Sequence, residues 1–230
     1  RRSGRKSRRR EGTDAVGEPP RKRMNNTIHI AGSMPRIGTT TLALQMVRFC
    51  TKYGYKACYV EMSRQDYLWG VSKIYEGAVL NRSKGCTDYA GLSLYAGERL
   101  DALLNSQDDP YDFLICDYGN ITDAGFRPEQ FAGGDCGILV CGNKPNEIFK
   151  AEDALRDPMM EDAAVVFNFT DPADYDAIRE MMGNRGGETS FMPYIPDPFY
   201  NGEDYKVREF FQELMDNVVM IIRGDSADES

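Results

Sequence analysis

The feature that most constrains this chain is a regular alternation of short apolar runs with segments of helical period. The apolar runs are TIHIA at Thr27–Ala31, KACYVEM at Lys56–Met62, YDFLICD at Tyr111–Asp117, CGILVC at Cys136–Cys141 and AAVVFNF at Ala163–Phe169. They are strand-length and largely continuous, without the polar alternation of a half-exposed strand. That is the pattern of parallel strands covered on both faces. Between them lie helical segments at Thr39–Tyr53, Glu98–Ser106, Pro145–Arg156, Asp171–Met182 and Tyr205–Ile222. In the first, Leu42, Ala43, Met46, Val47 and Cys50 share a face, and Gly54 stands where the helix should stop. Asp171-Pro172 is a helix-start signal. Asp66–Ala78 reads as a further helix, and Leu92–Ala96 and Ser190–Ile195 as short strands. This order predicts a single α/β domain with a predominantly parallel sheet and helices on both faces.

Charge divides the chain. The formal net charge is −8, but residues 1–23 hold ten basic and three acidic residues, which leaves 18 basic and 33 acidic residues for the rest. Residues 1–26, rich in Arg, Gly, Ser and Pro and without hydrophobic period, read as a disordered basic tail or linker. The domain is expected over 27–223, followed by an acidic tail at 224–230. An acidic body is a poor nonspecific nucleic-acid binder, so contact with nucleic acid or an anionic membrane falls to the basic tail. The tail has no interleaved aromatics for base stacking. A plain interdomain linker is the other reading, since the chain starts at Arg1 and an upstream domain is expected to be missing.

No apolar run reaches the roughly 18 residues of a membrane helix, and no apolar stretch follows the basic start as in a secretory signal. A cytoplasmic protein is expected. One histidine (His29) and six cysteines without a CxxC pair give little support to a zinc site or a His-based triad. Tyr53, Tyr55 and Tyr59 are expected in the packing around the second strand. Phe210, Phe211, Leu214, Val218 and Ile221 are expected as the core-facing stripe of the last helix.

In open parallel sheets, ligands bind beyond the carboxyl ends of the strands. The informative residues collect there. After the first strand comes Gly32-Ser33-Met34-Pro35-Arg36-Ile37-Gly38-Thr39-Thr40-Thr41, opening a helix whose N-terminal amides suit phosphate. It departs from GxxxxGK[ST]: Ser33 stands at the first Gly and Thr39 at the Lys. Asp117 ends an apolar strand, Glu61 and Ser63 follow Val60, Asn168 closes another strand, and Ile195-Pro196-Asp197 follows the last. Asn143-Lys144-Pro145-Asn146 mimics a guanine-reading NKxD, but the terminal Asp is Asn146, and Pro145 more simply opens a helix.

In this order the motifs resemble the ParA/MinD group of P-loop ATPases, which position plasmids, chromosomes, division sites or pili. The resemblance runs from about Thr27 to Ile222. It implies ATP and Mg²⁺ as cofactors and nucleotide-dependent homodimerisation. It also implies recruitment of a protein partner, with attachment to membrane or nucleoid open. By position, Ile37–Thr41 amides would wrap phosphates, Thr40 and Asp117 would hold Mg²⁺, and Thr41 would touch the α-phosphate. Asn168 would read the adenine edge, with Pro196 and Asp197 lining the base pocket. The family loop reads approximately K-G-G-x-G-K-T-T, whereas Met34–Thr41 reads M-P-R-I-G-T-T-T. Both lysines are replaced, and the family D-x-D appears as Glu61 and Ser63. Phosphoryl transfer depends on charge stabilisation and positioning, so hydrolysis is expected to be slow or absent. Arg36 is the candidate lysine substitute and Glu61 the remaining candidate catalytic carboxylate. A nucleotide-free scaffold and the sensor half of a DNA-binding regulator are the alternatives.

Overall fold

The computed structural model describes residues 25–107, 109–202 and 204–224. Nearly all of the expected basic and acidic tails lie outside them. Asn25 and Asn26 belong to the folded domain: the Asn25 carboxamide donates to the Leu104 carbonyl at 3.0 Å and accepts from the Tyr111 amide at 3.0 Å.

The strands are β1 (Asn26–Gly32), β2 (Ala57–Glu61), β3 (Val79–Asn81), β4 (Cys86–Tyr89), β5 (Leu92–Ala96), β6 (Phe113–Asn120), β7 (Cys136–Cys141), β8 (Ala164–Phe167) and β9 (Ser190–Phe191). They form one sheet in the order β3-β4-β5-β2-β6-β1-β7-β8-β9. Every pairing from β5 to β9 is parallel, and β3-β4 and β4-β5 are antiparallel.

Strand side chains alternate between two cores. Ile28, Ile30, Tyr59, Ile115 and Ile138 face α1 (Thr39–Lys52) and the later α7 (Tyr205–Arg223). Ala31, Cys58, Val60, Leu114, Cys116 and Leu139 pack on the other face, towards α3 (Leu100–Leu104), α4 (Pro128–Ala132), α5 (Pro145–Leu155) and α6 (Tyr175–Met182). All six cysteines are buried and unpaired. On α7, Phe210, Phe211, Leu214 and Val218 are core residues, while Ile221 is exposed. Tyr59 is fully buried, but Tyr53 and Tyr55 stay largely in solvent against Phe49 and Phe113.

Four elements differ from the sequence expectation. The β3–β4 hairpin has strands of three and four residues, with Val79 and Leu80 exposed and Gly85 at positive φ in its turn, so it carries no long apolar run to announce it. The helix expected over Asp66–Ala78 is only α2 (Tyr67–Ile74). The last strand ends at Phe191, because Pro193 and Pro196 cannot donate to a ladder. Finally, β6 continues past Asp117 to Asn120, with a register shift against β1 between Ile30 and Gly32. That shift opens the sheet where the β1 chain turns away.

Candidate functional site

The loop 33–38 carries the chain from β1 into α1. The Ser33 amide donates to the Val140 carbonyl at 2.7 Å, tying the loop's start to β7. Ser33 is fully buried, and its hydroxyl has no partner among the described residues. Ile37 is a core residue, only 3 % exposed, so the loop is pinned by an apolar anchor on either side of which the backbone is left-handed. Arg36 has φ 62° and Gly38 φ 97°. A Cβ on Gly38 would stand 2.2 Å from Asn168 Nδ2, so only glycine fits there. Gly38 is the N-cap of α1 without a side-chain cap, and the first turn has no acid. The amides at this end therefore present partial positive charge that no acid of the helix's own first turn opposes.

Beside this end sits Asp117, only 1 % exposed. Its Oδ2 accepts from Thr40 Oγ1 at 2.6 Å and from the Tyr59 hydroxyl at 2.8 Å, and its Oδ1 accepts from the Gly119 amide at 2.9 Å. Burial pushes the carboxyl above the usual carboxylate range, and the three donors pull it partly back. Burial and the neighbouring Asp117 push the Tyr59 phenol well up.

Next to the pair opens a cleft of about 470 Å³, lined by the loop, the first turn of α1, Gly119 and Asn120, with Gln65, Phe169, Tyr194 and Pro196. Arg36 is the charged residue in this lining. It is exposed and has no hydrogen bond or ion pair among the described residues.

Arg36, Gly38, Thr39, Thr40, Thr41 and Pro196 are thus brought together on one cleft, with Asp117 directly behind Thr40. Three expected site residues are engaged elsewhere. Asn168 is buried: its Nδ2 donates to the Ile37 carbonyl at 3.0 Å and its Oδ1 accepts from the Phe169 amide at 2.9 Å. It ties the loop to the end of β8 and does not face the cleft. The Asp197 carboxylate closes a turn, accepting from the Phe199 amide at 2.7 Å. Glu61 caps α2, with Oε1 accepting from the Tyr67 amide at 2.6 Å and Oε2 from the Leu68 amide at 3.0 Å. Both Glu61 oxygens thus accept backbone amides at the start of α2. Burial raises its pKa and the two amides lower it in part.

Other site residues gave no sequence motif. Gln65 lies two positions beyond Ser63, and its Nε2 donates to Asp123 at 3.0 Å. Phe169 follows the buried β8 yet is 58 % exposed, and Tyr194 is 76 % exposed. A large apolar ring just beyond a strand's carboxyl end was the available signal. The NKxD mimic resolves as a helix start: Pro145 is at the first turn of α5, and the Glu147 carboxylate accepts from the Lys144 amide at 3.1 Å.

Comparison with protein-family models and with curated sequences gives no match. Comparison with solved structures does. MinD cell division protein from Aquifex aeolicus matches with a TM-score of 0.62 at 18% identity, covering 89% of this chain and 99% of that one. The MinC:MinD complex of the same organism matches with a TM-score of 0.59 at 17% identity, over 89% and 98%. A putative plasmid partition protein from Borrelia burgdorferi B31, bound to AMPPNP, matches with a TM-score of 0.57 at 11% identity, over 88% and 100%.

The chain has the MinD/ParA fold. The match covers 89% of the chain, whose sheet is mostly parallel and flanked by helices. Against this MinD/ParA-like frame, the described residues hold no group of three or more His, Cys, Asp or Glu able to bind a metal ion. No described helix is long and apolar enough to cross a membrane.

Proposed function

We propose that this MinD/ParA-like domain is a nucleotide-binding switch with a degenerate loop. In this reading ATP with Mg²⁺ binds in the cleft, promotes homodimerisation and so recruits a protein partner to a cellular position. The observation that carries it is the Thr40–Asp117 pair at 2.6 Å beside the uncapped N-terminus of α1. A hydroxyl and a carboxylate on one side of a phosphate-sized set of free amides is a donor set for a hydrated hard cation shared with phosphate oxygens. The metal would need the nucleotide's oxygens, since the protein supplies too few ligands of its own.

Thr40 and Asp117 would hold Mg²⁺, and Mg²⁺ would neutralise part of the phosphate charge. The amides of Gly38–Thr41 would hold phosphate oxygens. Arg36 would supply the permanent charge that the missing lysines would have given. With Ser63 in place of the water-orienting Asp and Glu61 engaged on α2, hydrolysis is slow or absent. The similar structures include one bound to AMPPNP and one in complex with MinC, which supports an adenine nucleotide and a protein partner as the kinds of ligand to test. The protein acts in the cytoplasm or at a membrane or nucleoid surface, and the basic tail 1–26 is the segment for anionic contact.

A nucleotide-free scaffold is the second reading. It is favoured by one observation: both Asp117 oxygens already accept hydrogen bonds within the protein. Calorimetry and thermal shift with ATP–Mg²⁺ on wild type, Arg36→Ala and Asp117→Ala separate the two. Saturable heat in wild type, weakened in both variants, supports the switch. No heat and no shift at millimolar ATP leaves the scaffold. An Arg36→Ala protein that binds ATP as tightly as wild type removes Arg36 from the site.

A further inference from the structure

We infer that the cleft holds its nucleotide base by stacking on Phe169 and Tyr194 instead of reading the base edge, so that adenine and guanine triphosphates are accepted alike; this rests on the nucleotide-binding reading above.

Neither residue expected at the base, Asn168 for its edge or Asp197 for its pocket, lines the cleft. The Asn168 carboxamide bridges the Ile37 carbonyl and the Phe169 amide, and the Asp197 carboxylate accepts from the Phe199 amide. What the cleft offers in their place is aromatic surface. Phe169 and Tyr194 both line it, beside Pro196, and most of each ring is open to solvent. Neither ring packs against another aromatic ring among the described residues. Exposed rings inside a concave polar site are surface that a flat ligand can cover.

The backbone fixes the position of one ring. Phe169 has φ 57°, a left-handed conformation disfavoured for a residue bearing a side chain. The Asn168 side chain holds it there by accepting from the Phe169 amide at 2.9 Å. As a result Phe169 Cζ lies 4.0 Å from where a Cβ on Gly38 would stand, so the ring tip reaches the start of α1. The asparagine therefore positions a ring rather than reading a base. Stacking tolerates base identity, because every base has a π-face, whereas telling adenine from guanine needs edge donors and acceptors.

The test is calorimetry on the full chain with Mg²⁺ and, in turn, ATP, GTP and inorganic tripolyphosphate. Wild type should bind ATP and GTP within about threefold of each other. Phe169→Ala should weaken both nucleotides by about tenfold and leave tripolyphosphate unchanged. Tyr194→Leu should act in the same direction. Phe169→Trp should keep the affinity, and its emission should be quenched by either nucleotide, measured against wild type with its single Trp69. A preference of more than threefold for ATP over GTP overturns the inference. So does a Phe169→Ala loss that falls equally on tripolyphosphate, since the ring would then be supporting the loop. In both cases nucleotide binding itself stands. If none of the three ligands binds, the nucleotide reading falls, and this inference with it.

Discussion

The end of β2 lies beside the middle of β6, and the pairing places two buried carboxylates in register, Glu61 opposite Asp117. Each is fully hydrogen-bonded, but to different kinds of donor. Glu61 takes two backbone amides at the start of α2. Asp117 takes two side-chain hydroxyls on one oxygen and an amide on the other. A backbone amide at a helix start has no alternative partner in the folded state, whereas a threonine hydroxyl can rotate to a metal or a phosphate and be replaced. Residue type alone made both carboxylates candidates for chemistry. The donors divide them: Glu61 holds backbone amides at the start of α2, and Asp117 holds the hydroxyls of Thr40 and Tyr59 with the Gly119 amide. Arg36 completes the series, since it has no hydrogen-bond or ion-pair partner among the described residues.

Asp117→Ala gives the largest effect that can break this contrast. Loss of the metal-side carboxylate should reduce ATP affinity in Mg²⁺ by about 100-fold and abolish the dependence on Mg²⁺. Titration with and without the cation reads it. An unchanged Mg²⁺ dependence would put the cation elsewhere. Glu61→Ala comes next and should act on the other observable. Uncapping α2 should cost about 1–2 kcal/mol in chemical denaturation while ATP affinity moves by less than about threefold. Arg36→Ala should do the reverse, with stability unchanged and ATP affinity about tenfold weaker, more so at low salt.

The smallest effect is in pH dependence. Both carboxyls have folded-state pKa values raised by burial, so the folded state holds these protons more tightly than the unfolded chain does. Their contribution therefore favours folding at acid pH. It is lost as pH rises from the ordinary values, 3.8 for Asp117 and 4.5 for Glu61, through the raised folded ones. Denaturation curves of Asp117→Asn and Glu61→Gln against wild type, taken across that range, should show a flatter pH slope in each variant. A steeper slope would reverse the sign.

The parallel core was legible because β1, β2, β6, β7 and β8 are apolar on both faces, a pattern that few other arrangements produce. The loop and the Thr40–Asp117 pairing were legible from the order of motifs. The roles of Glu61 and Asn168 were not, because a sequence shows a carboxylate or carboxamide at a strand end but not which unsatisfied backbone group claims it. The nearest claimants were the α2 amides and the Ile37 carbonyl. The β3–β4 hairpin was illegible because its strands are only three and four residues long and Val79 and Leu80 face solvent. Phe169 and Tyr194 escaped notice because an aromatic residue reads as core until its exposure is known.

The Asn168–Ile37 link has a mechanical consequence. It crosses over β7 to fasten the loop between β1 and α1 to the residue just beyond β8, and β8 leads on to Phe169 and pairs with β9, which leads on to Tyr194. The loop and the aromatic wall are therefore not independent jaws. One asparagine side chain joins them, so a shift of the loop is expected to carry through to the ring beyond β8.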